Sequence, residues 1–421
     1  MKTNNRFENL STNYQIILIL ISILIVLGAI EIGFRTVYLF MGRDLRGPYQ
    51  FEYLPYVGYR RAPHSQLGDV LEYDQYGLAL NRSGERRNLT EKSAEEFRVI
   101  LFGGSTVEGR NLNGLSDTLT ARLEKKLDEL FKENAIQLTP KVINAGISSA
   151  FSATTSSSFI YQFLPAKPDF VIFFEGTNDF SVEWDSTDSS AYDLFAHNYH
   201  PILSTVFKSY GKMFSISGVL SNMMLNLTYH SAAIDFIYKT IVKGHRIISI
   251  VKSRLGWINF KETIAKYMPI HINRYERNII TSIGVAKEFQ IGIANILQPT
   301  LLGNSQSLSN DERTIIKEVK STKSIFWHDV DYLDAKKIFY EKMRNKFAYL
   351  EKRYSKQKNI GFYDFSLIFN DKSDQKTFFG DHVHYTSSGR ENIISHMMQG
   401  LGNQILKHAR TLPRSHTPAT Q

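Results

Sequence analysis

The sequence predicts an α/β fold of three layers, helix on a five-stranded parallel sheet on helix, preceded by one transmembrane helix. Three observations predict it. Short apolar runs in the body of the chain lack the alternation of a half-solvated strand, which suits strands buried on both faces of a parallel sheet. Amphipathic segments separate and follow them, as the crossovers of such a sheet require. Near the amino end, the run from Tyr14 to Ile30 carries no charge at all.

That run, YQIILILISILIVLGAI, resumes its apolar character beyond Glu31 and continues to Gly42. It suffices to cross a hydrocarbon core of about 30 Å at about 1.5 Å per residue. No small-x-small cleavage site follows it, so an uncleaved signal anchor over residues 14–42, after a short tail of residues 1–13, is preferred to a signal peptide. Lys2 and Arg6 on one side balance Arg35, Arg43 and Arg46 on the other, and charge alone leaves the orientation open. Glu31 and Arg35, one helical turn apart, are expected to pair.

Residues 43–95 form a connector rich in Tyr, Pro and Gly, with turn signals at Gly47-Pro48, Tyr76-Gly77 and Ser83-Gly84, expected to pack on the main domain. The main domain, residues 96–406, then offers five strands: Arg98 to Phe102, Val142 to Asn144, Phe170 to Phe174, Ile291 to Leu297 and Gly361 to Phe365. A helix over Thr118 to Phe131 carries Leu119, Leu123, Leu127 and Leu130 at helical spacing, with Ser116 or Asp117 as its expected cap. Tyr275, Ile279 and Ile283 mark a second helix; Ile338, Phe339, Met343, Phe347 and Leu350 mark a third. The last follows Thr386, an expected cap, with Ile393, Ile394, Met397, Leu401 and Ile405 on one face. Residues 181–270 are far more than one crossover needs and imply a helical insertion. Its apolar and basic stretch from Ile216 to Leu255 suits a lid, a membrane-surface helix or a small subdomain with its own core. Residues 407–421 read as a flexible tail.

Composition removes several function classes. With no cysteine among 421 residues, disulfides, thiolate metal sites and cysteine nucleophiles are all excluded. The formal charge of +9 is spread among Asp and Glu without a long basic block, which reads as a solvated basic surface and not as a nucleic-acid interface.

Four motifs coincide with the carboxyl ends of expected strands, where an open parallel sheet places its ligands. Gly103-Gly104-Ser105-Thr106-Val107-Glu108-Gly109 follows the first; its glycines permit a sharp turn that presents the Ser105 hydroxyl, and it lacks the Gly-Lys-Ser/Thr ending of a phosphate loop. Asn144-Ala145-Gly146 follows the second and Gly176-Thr177-Asn178-Asp179 the third. The Gly146 amide and the Asn178 side chain, with the Ser105 amide, could form an oxyanion hole, although each motif alone also suits a turn or cap. Asp381-His382-Val383-His384 follows the fifth strand. Its spacing lets Asp381 hold Nδ1–H of His384 while Nε2 faces a serine. His382, the competing base, is directed elsewhere as the immediate neighbour of Asp381, and a metal on His382, His384 and Asp381 lacks a supporting ligand cluster.

Together these blocks resemble, in their usual order, those of the SGNH (GDSL-like) hydrolases, over roughly Phe97 to Leu406. The resemblance implies a flavodoxin-like sheet and an acyl-enzyme mechanism with Ser105, Asp381 and His384 as triad and Ser105, Gly146 and Asn178 as oxyanion hole, without cofactor or metal. Gly104 departs from the commonest Gly-Asp-Ser form; since that Asp is not the triad acid, a change of loop geometry is expected and not a loss of activity. The anchor, the insertion and Leu297-Gln298-Pro299-Thr300 are similar to bacterial envelope members acting on acylated glycans. They imply a single-pass inner-membrane protein with a periplasmic esterase or O-acyltransferase domain. Its partners would be an acylated carbohydrate or other ester, the bilayer and envelope-glycan biosynthesis proteins. The rival from another class is a domain of this fold that binds a glycan or a protein without turnover.

Overall fold

The computed structural model describes residues 11–40, 51–180, 227, 231–234, 236–237, 260–303, 308–323, 332–370 and 376–412. Five parallel strands form the central sheet in the order β6-β5-β7-β8-β9: β5 Glu96–Gly103, β6 Thr139–Gly146, β7 Phe170–Glu175, β8 Gly292–Leu297 and β9 Ile360–Asp364. All five coincide with the expected runs, and the sheet is the doubly wound α/β arrangement.

The cause is visible in the burial. Ile100 and Phe102 of β5 and Val171 and Phe173 of β7 face one core; Val99 and Leu101, with Phe170, Ile172 and Phe174, face the other. Alternate side chains thus enter different layers, and both layers are apolar, which removes the polar alternation from the sequence. On the first face lie α4 (Ser152–Ser158), continued by a π-turn over Phe159–Phe163, and the long helices α6 (Phe260–Glu288) and α8 (Tyr332–Tyr354). On the second lie α3 (Leu119–Glu133) and α9 (Ser387–Thr411).

Three local expectations change. The cap of α3 is Thr118, whose hydroxyl accepts the Ala121 N–H at 3.1 Å, while Asp117 instead pairs with Arg122 and Arg390. Helix α6 begins at Phe260, inside the expected insertion, because Ile264, Tyr267, Met268 and Ile272 are buried on the same core as Tyr275; Pro269 within it breaks the sequence pattern without ending the helix. Helix α9 reaches Thr411, past Lys407, where Ala409 is still buried. Most of the expected insertion and the end of the tail lie outside the described residues.

Residues 51–95 form two short antiparallel hairpins, β1 (Phe51–Leu54) with β2 (Gly58–Arg61) and β3 (Gln66–Leu67) with β4 (Leu71–Glu72), followed by a loop that meets the sheet. The Arg98 guanidinium, 2 % exposed, donates to the carbonyls of Asn88, Leu89, Glu91 and Ala166, and Asn81 Nδ2 donates to the Val142 carbonyl at 2.7 Å.

At the amino end, α1 (Thr12–Phe40) is long and apolar enough to cross a membrane. It belongs, with the described residues of 227–237, to a unit separate from the α/β body. Inside that unit Glu31 pairs with Arg35 at 2.7 Å and its carboxylate accepts from the Ser231 hydroxyl and the Ala232 and Ala233 amides, while Phe34 and Phe236 sit with ring centroids 5.0 Å apart.

Candidate active site

Strand β5 ends at Gly103, and the chain turns at once into α2 (Ser105–Glu108). The turn is tight enough that a Cβ at Gly103 would lie 2.6 Å from the Phe174 carbonyl oxygen, so the position requires glycine. Among residues 101–109 only Ser105 is partly exposed, with its amide at the first position of α2, where no intrahelical acceptor exists. Its hydroxyl is 2.7 Å from His384 Nε2 across 279 residues of sequence.

The histidine is held by a loop built for the purpose. Phe379 and Tyr385 bridge in antiparallel fashion, Gly380 N–H donates to the His384 carbonyl at 2.8 Å, and both aromatic rings are buried against Phe369. Glu312, in α7 (Asn310–Lys323), accepts from the Phe378 and Phe379 amides. From the end of β8, Pro299 accepts the Tyr385 hydroxyl at 2.7 Å, and Leu301 N–H donates to the His382 carbonyl. The Gln298-Pro299-Thr300 stretch therefore anchors the histidine loop.

Within that loop Asp381 Oδ2 is 2.6 Å from His384 Nδ1, and Oδ1 accepts the Val383 and His384 amides at 2.8 Å each. Partial burial opposes ionisation, but the hydrogen bond and charge of His384 and the two amides outweigh it and hold the Asp381 carboxyl well below the usual carboxylate range. Both ring nitrogens of His384 are thus occupied, one by an acid and one by an alcohol. Among the described residues no group of three or more His, Asp or Glu converges as a metal site.

The remaining predicted residues separate into two kinds. Asn178, in the one-turn helix α5 (Thr177–Phe180), is the only partly exposed residue among residues 171–180, and its Nδ2 donates to the Ala150 carbonyl at 2.7 Å, which leaves its second hydrogen available. It lies against the Gly103–Ser105 turn, since a Cβ at Gly104 would be 2.3 Å from that nitrogen. Gly146 differs. Its N–H donates to Asn144 Oδ1 at 3.0 Å, and a Cβ there would be 2.2 Å from the Glu108 nitrogen. Its glycine identity therefore serves the close approach of α2. Asn144 completes this tie by donating Nδ2 to the Val107 carbonyl at 3.0 Å.

A donor that sequence reasoning missed lies three residues on. Ala150 N–H closes a turn onto the Ile147 carbonyl at 2.9 Å, with Ser149 inside it at φ 68°. Among the described residues the Ser149 N–H has no acceptor, and Ser149 is partly exposed between buried Ser148 and Ala150. A serine gives no outward sign of a left-handed backbone, so only its place between Asn144 and the Ser152 helix could have drawn attention.

Behind Asn178 is a buried polar layer. Asp179 accepts the Ser152 hydroxyl at 2.5 Å, Asn278 Nδ2 donates to that hydroxyl at 2.8 Å, and His271 Nδ1 is 3.1 Å from the Asp179 carbonyl oxygen. Thr155 donates to Glu175. Burial, and then the Asp179 charge, push the Glu175 carboxyl above its ordinary range; burial also raises Asp179, against the Ser152 hydroxyl and the nearby Arg274 charge. This layer fixes the base of α5 and α4, and through them the Asn178 amide.

No curated protein matches the chain. Among solved structures, it is similar to a catalytic mutant of an acetylxylan esterase from Geobacillus stearothermophilus, at 13% identity over 76% of this chain and 97% of the other, with a TM-score of 0.37. It is similar also to a GDSL-like lipase from Bacteroides thetaiotaomicron, at 14% identity over 75% of this chain and 91% of the other, with a TM-score of 0.33. Residues 99–397 match the family model described as GDSL-like lipase/acylhydrolase. Because that match reaches from the first strand of the sheet into the last helix, the chain belongs to the GDSL-like lipase/acylhydrolase family and is a carboxylic ester hydrolase of the SGNH type.

Proposed function

We propose that the chain cleaves an acyl ester of a cell-envelope glycan through a Ser105 acyl-enzyme, with His384 as general base and Asp381 as its orienting acid. The observation that carries this reading is the continuous hydrogen-bonded line from Ser105 Oγ through His384 to Asp381, at 2.7 and 2.6 Å. Nε2 takes the hydroxyl proton as Oγ bonds to the ester carbon, and Asp381 stabilises the imidazolium. The imidazolium then gives its proton to the departing alkoxide, leaving the acyl group on Ser105. A water, or a sugar hydroxyl in a transferase, next gives its proton to Nε2 and attacks the acyl carbon. On collapse the imidazolium returns its proton to Ser105 Oγ, which releases acid or new ester and restores the serine.

Negative charge on the carbonyl oxygen would be met by the Ser105 amide, the Asn178 amide group and the Ser149 amide. The last is supported by its lack of an acceptor among the described residues, whereas the Gly146 amide is engaged by Asn144. Each such donor is worth about 3 kcal/mol of barrier. The glycan substrate, and a membrane-anchored domain outside the cytoplasm, are supported by the similarity of the apolar helix, the insertion and Leu297-Gln298-Pro299-Thr300 to bacterial envelope members of the family.

Fluorophosphonate should label the wild-type protein at Ser105 and leave Ser105→Ala unlabelled. A panel of acetylated and longer-chain sugar esters, with and without an acceptor glycan, should give Ser105-dependent release or transfer. Hydrolysis confined to non-sugar esters would remove the glycan from this reading.

A further inference from the structure

Glu108 lies three residues after the nucleophile, at the inner end of α2, and is 0% exposed. Four donors converge on its carboxylate. Arg61 gives Nε at 2.6 Å and Nη2 at 3.2 Å, the Tyr73 hydroxyl donates at 2.9 Å, and the Ser148 hydroxyl donates to Oε2. Two of these residues, Arg61 and Tyr73, come from the hairpin region between α1 and the sheet; Ser148 is the neighbour of Ser149. Tyr59 reaches the same neighbour from its other side, donating to the Ser148 carbonyl at 2.9 Å.

Arg61 is itself fixed from several directions. Its guanidinium lies 3.9 Å from the Phe51 ring centroid and 5.4 Å from that of Tyr73, and Nη2 is 3.3 Å from Ser148 Oγ. Gly77, at φ 74°, brings the following loop so close that a Cβ there would lie 2.1 Å from the Arg61 carbonyl oxygen. A charge pair this deeply buried is poorly explained by stability, since apolar side chains of similar volume usually serve as well or better. What it does achieve is a rigid link from one guanidinium to the serine turn and to the donor turn together.

We propose that Arg61 is a positioning residue: by holding Glu108 and Ser148 in one ion-paired cluster, it sets the Ser105 turn and the Ile147–Ala150 turn at the separation that acyl transfer needs. The inference rests on the esterase reading above and extends it to a segment outside residues 99–397, the part matched by the family. Arg61 touches no reacting atom. Its effect is geometric, and displacements of about 1 Å in such constellations cost roughly 100-fold in rate.

The test uses the full-length protein, with kcat and KM measured on an ester that the wild type turns over and Ser105→Ala does not. Arg61→Lys and Tyr73→Phe should lower kcat between about 10- and 100-fold with KM altered less than about threefold, and Lys at 61 should retain more activity than Met. The shape of the pH profile should stay that of the wild type, because His384 and Asp381 keep their contacts. Should Arg61→Met fail to fold, the double variant Arg61→Met/Glu108→Gln removes the unpaired buried charge and should fold while kcat stays low. Wild-type kcat in Arg61→Lys and Tyr73→Phe, or full kcat in the double variant, would overturn the inference and leave the esterase reading intact. A wild type with no Ser105-dependent turnover would overturn that reading and the inference with it.

Discussion

At Ser149 the backbone sits at φ 68°, a region that glycine enters freely and that a β-branched residue avoids. Ser149→Gly should therefore keep its turnover and Ser149→Val should lose most of it, with kcat as the measurement. Equal activity in the two would mean that this turn does not serve the reaction. Gly104 supplies a second residue-level expectation. Introducing Asp there, the commoner family residue, would put a Cβ 2.3 Å from Asn178 Nδ2, so Gly104→Asp should lower kcat roughly tenfold or more as the amide is displaced. Asp381→Asn should cost roughly 10³- to 10⁴-fold in kcat, because an amide cannot hold the imidazole in the required tautomer. The depressed Asp381 carboxyl also fixes the sign of a pH effect. Its contribution to stability is present above the unfolded value of about 3.9 and is lost as pH falls through the lower folded value, so melting curves of wild type and Asp381→Asn should converge in strong acid. The convergence of Ser105, Asp381 and His384 was legible in the sequence because Asp381 and His384 are three residues apart and both motifs follow strand ends. The structure engages the Gly146 amide with Asn144 and brings the α2 backbone against its Cα, and a glycine demanded by such an approach looks, in sequence, like one that frees an amide for substrate.

Elements were legible to the extent that burial imposes a period on them. The strands are buried on both faces and the faces of α3 and α9 are apolar, so each announced itself; β5 and β7 show no polar alternation because two cores claim their alternate side chains. Helix α6 begins at Phe260, well upstream of the Tyr275, Ile279 and Ile283 face, and runs through Pro269, whose missing N–H is tolerated within this helix. The cap of α3 was displaced by two rivals, Ser116 and Asp117, of which Asp117 is drawn off by Arg122 and Arg390. Thr118→Ala should therefore destabilise the domain by about 1 kcal/mol in chemical denaturation. The polar layer beneath α4 and α5 was invisible, since Glu175 reads as a strand terminus. With its carboxyl raised by burial and by Asp179, Glu175 stabilises fully below the unfolded value of about 4.3 and progressively less as pH rises. Glu175→Gln should accordingly lose less stability than wild type on going from pH 6 to pH 9, read as the shift in Tm; an unchanged shift would mean that Glu175 is ionised throughout.

For the whole molecule, the hairpin region links a helix long enough to span a membrane to the body that carries the site, and neither its pairing nor its contact with Glu108 could be read from spacing, because Arg61 and Glu108 are 47 residues apart. If α1 is an anchor, sodium carbonate extraction should leave the full-length protein in the membrane pellet. Release into the supernatant would make it a signal sequence or a peripheral helix. A reporter after Lys407 that is active only in the cytoplasm would reverse the proposed orientation. The 279-residue separation of Ser105 from His384 has a further consequence, for biosynthesis. A ribosome finishes the nucleophile turn long before it makes the base, and β7 waits for β8 across the whole stretch from Glu175 to Gly292. On the proposed mechanism the nascent chain is therefore inert towards esters, and any product of premature termination upstream of residue 384 carries an unactivated alcohol. Competence arrives late in synthesis, as a single event near the end of the polypeptide.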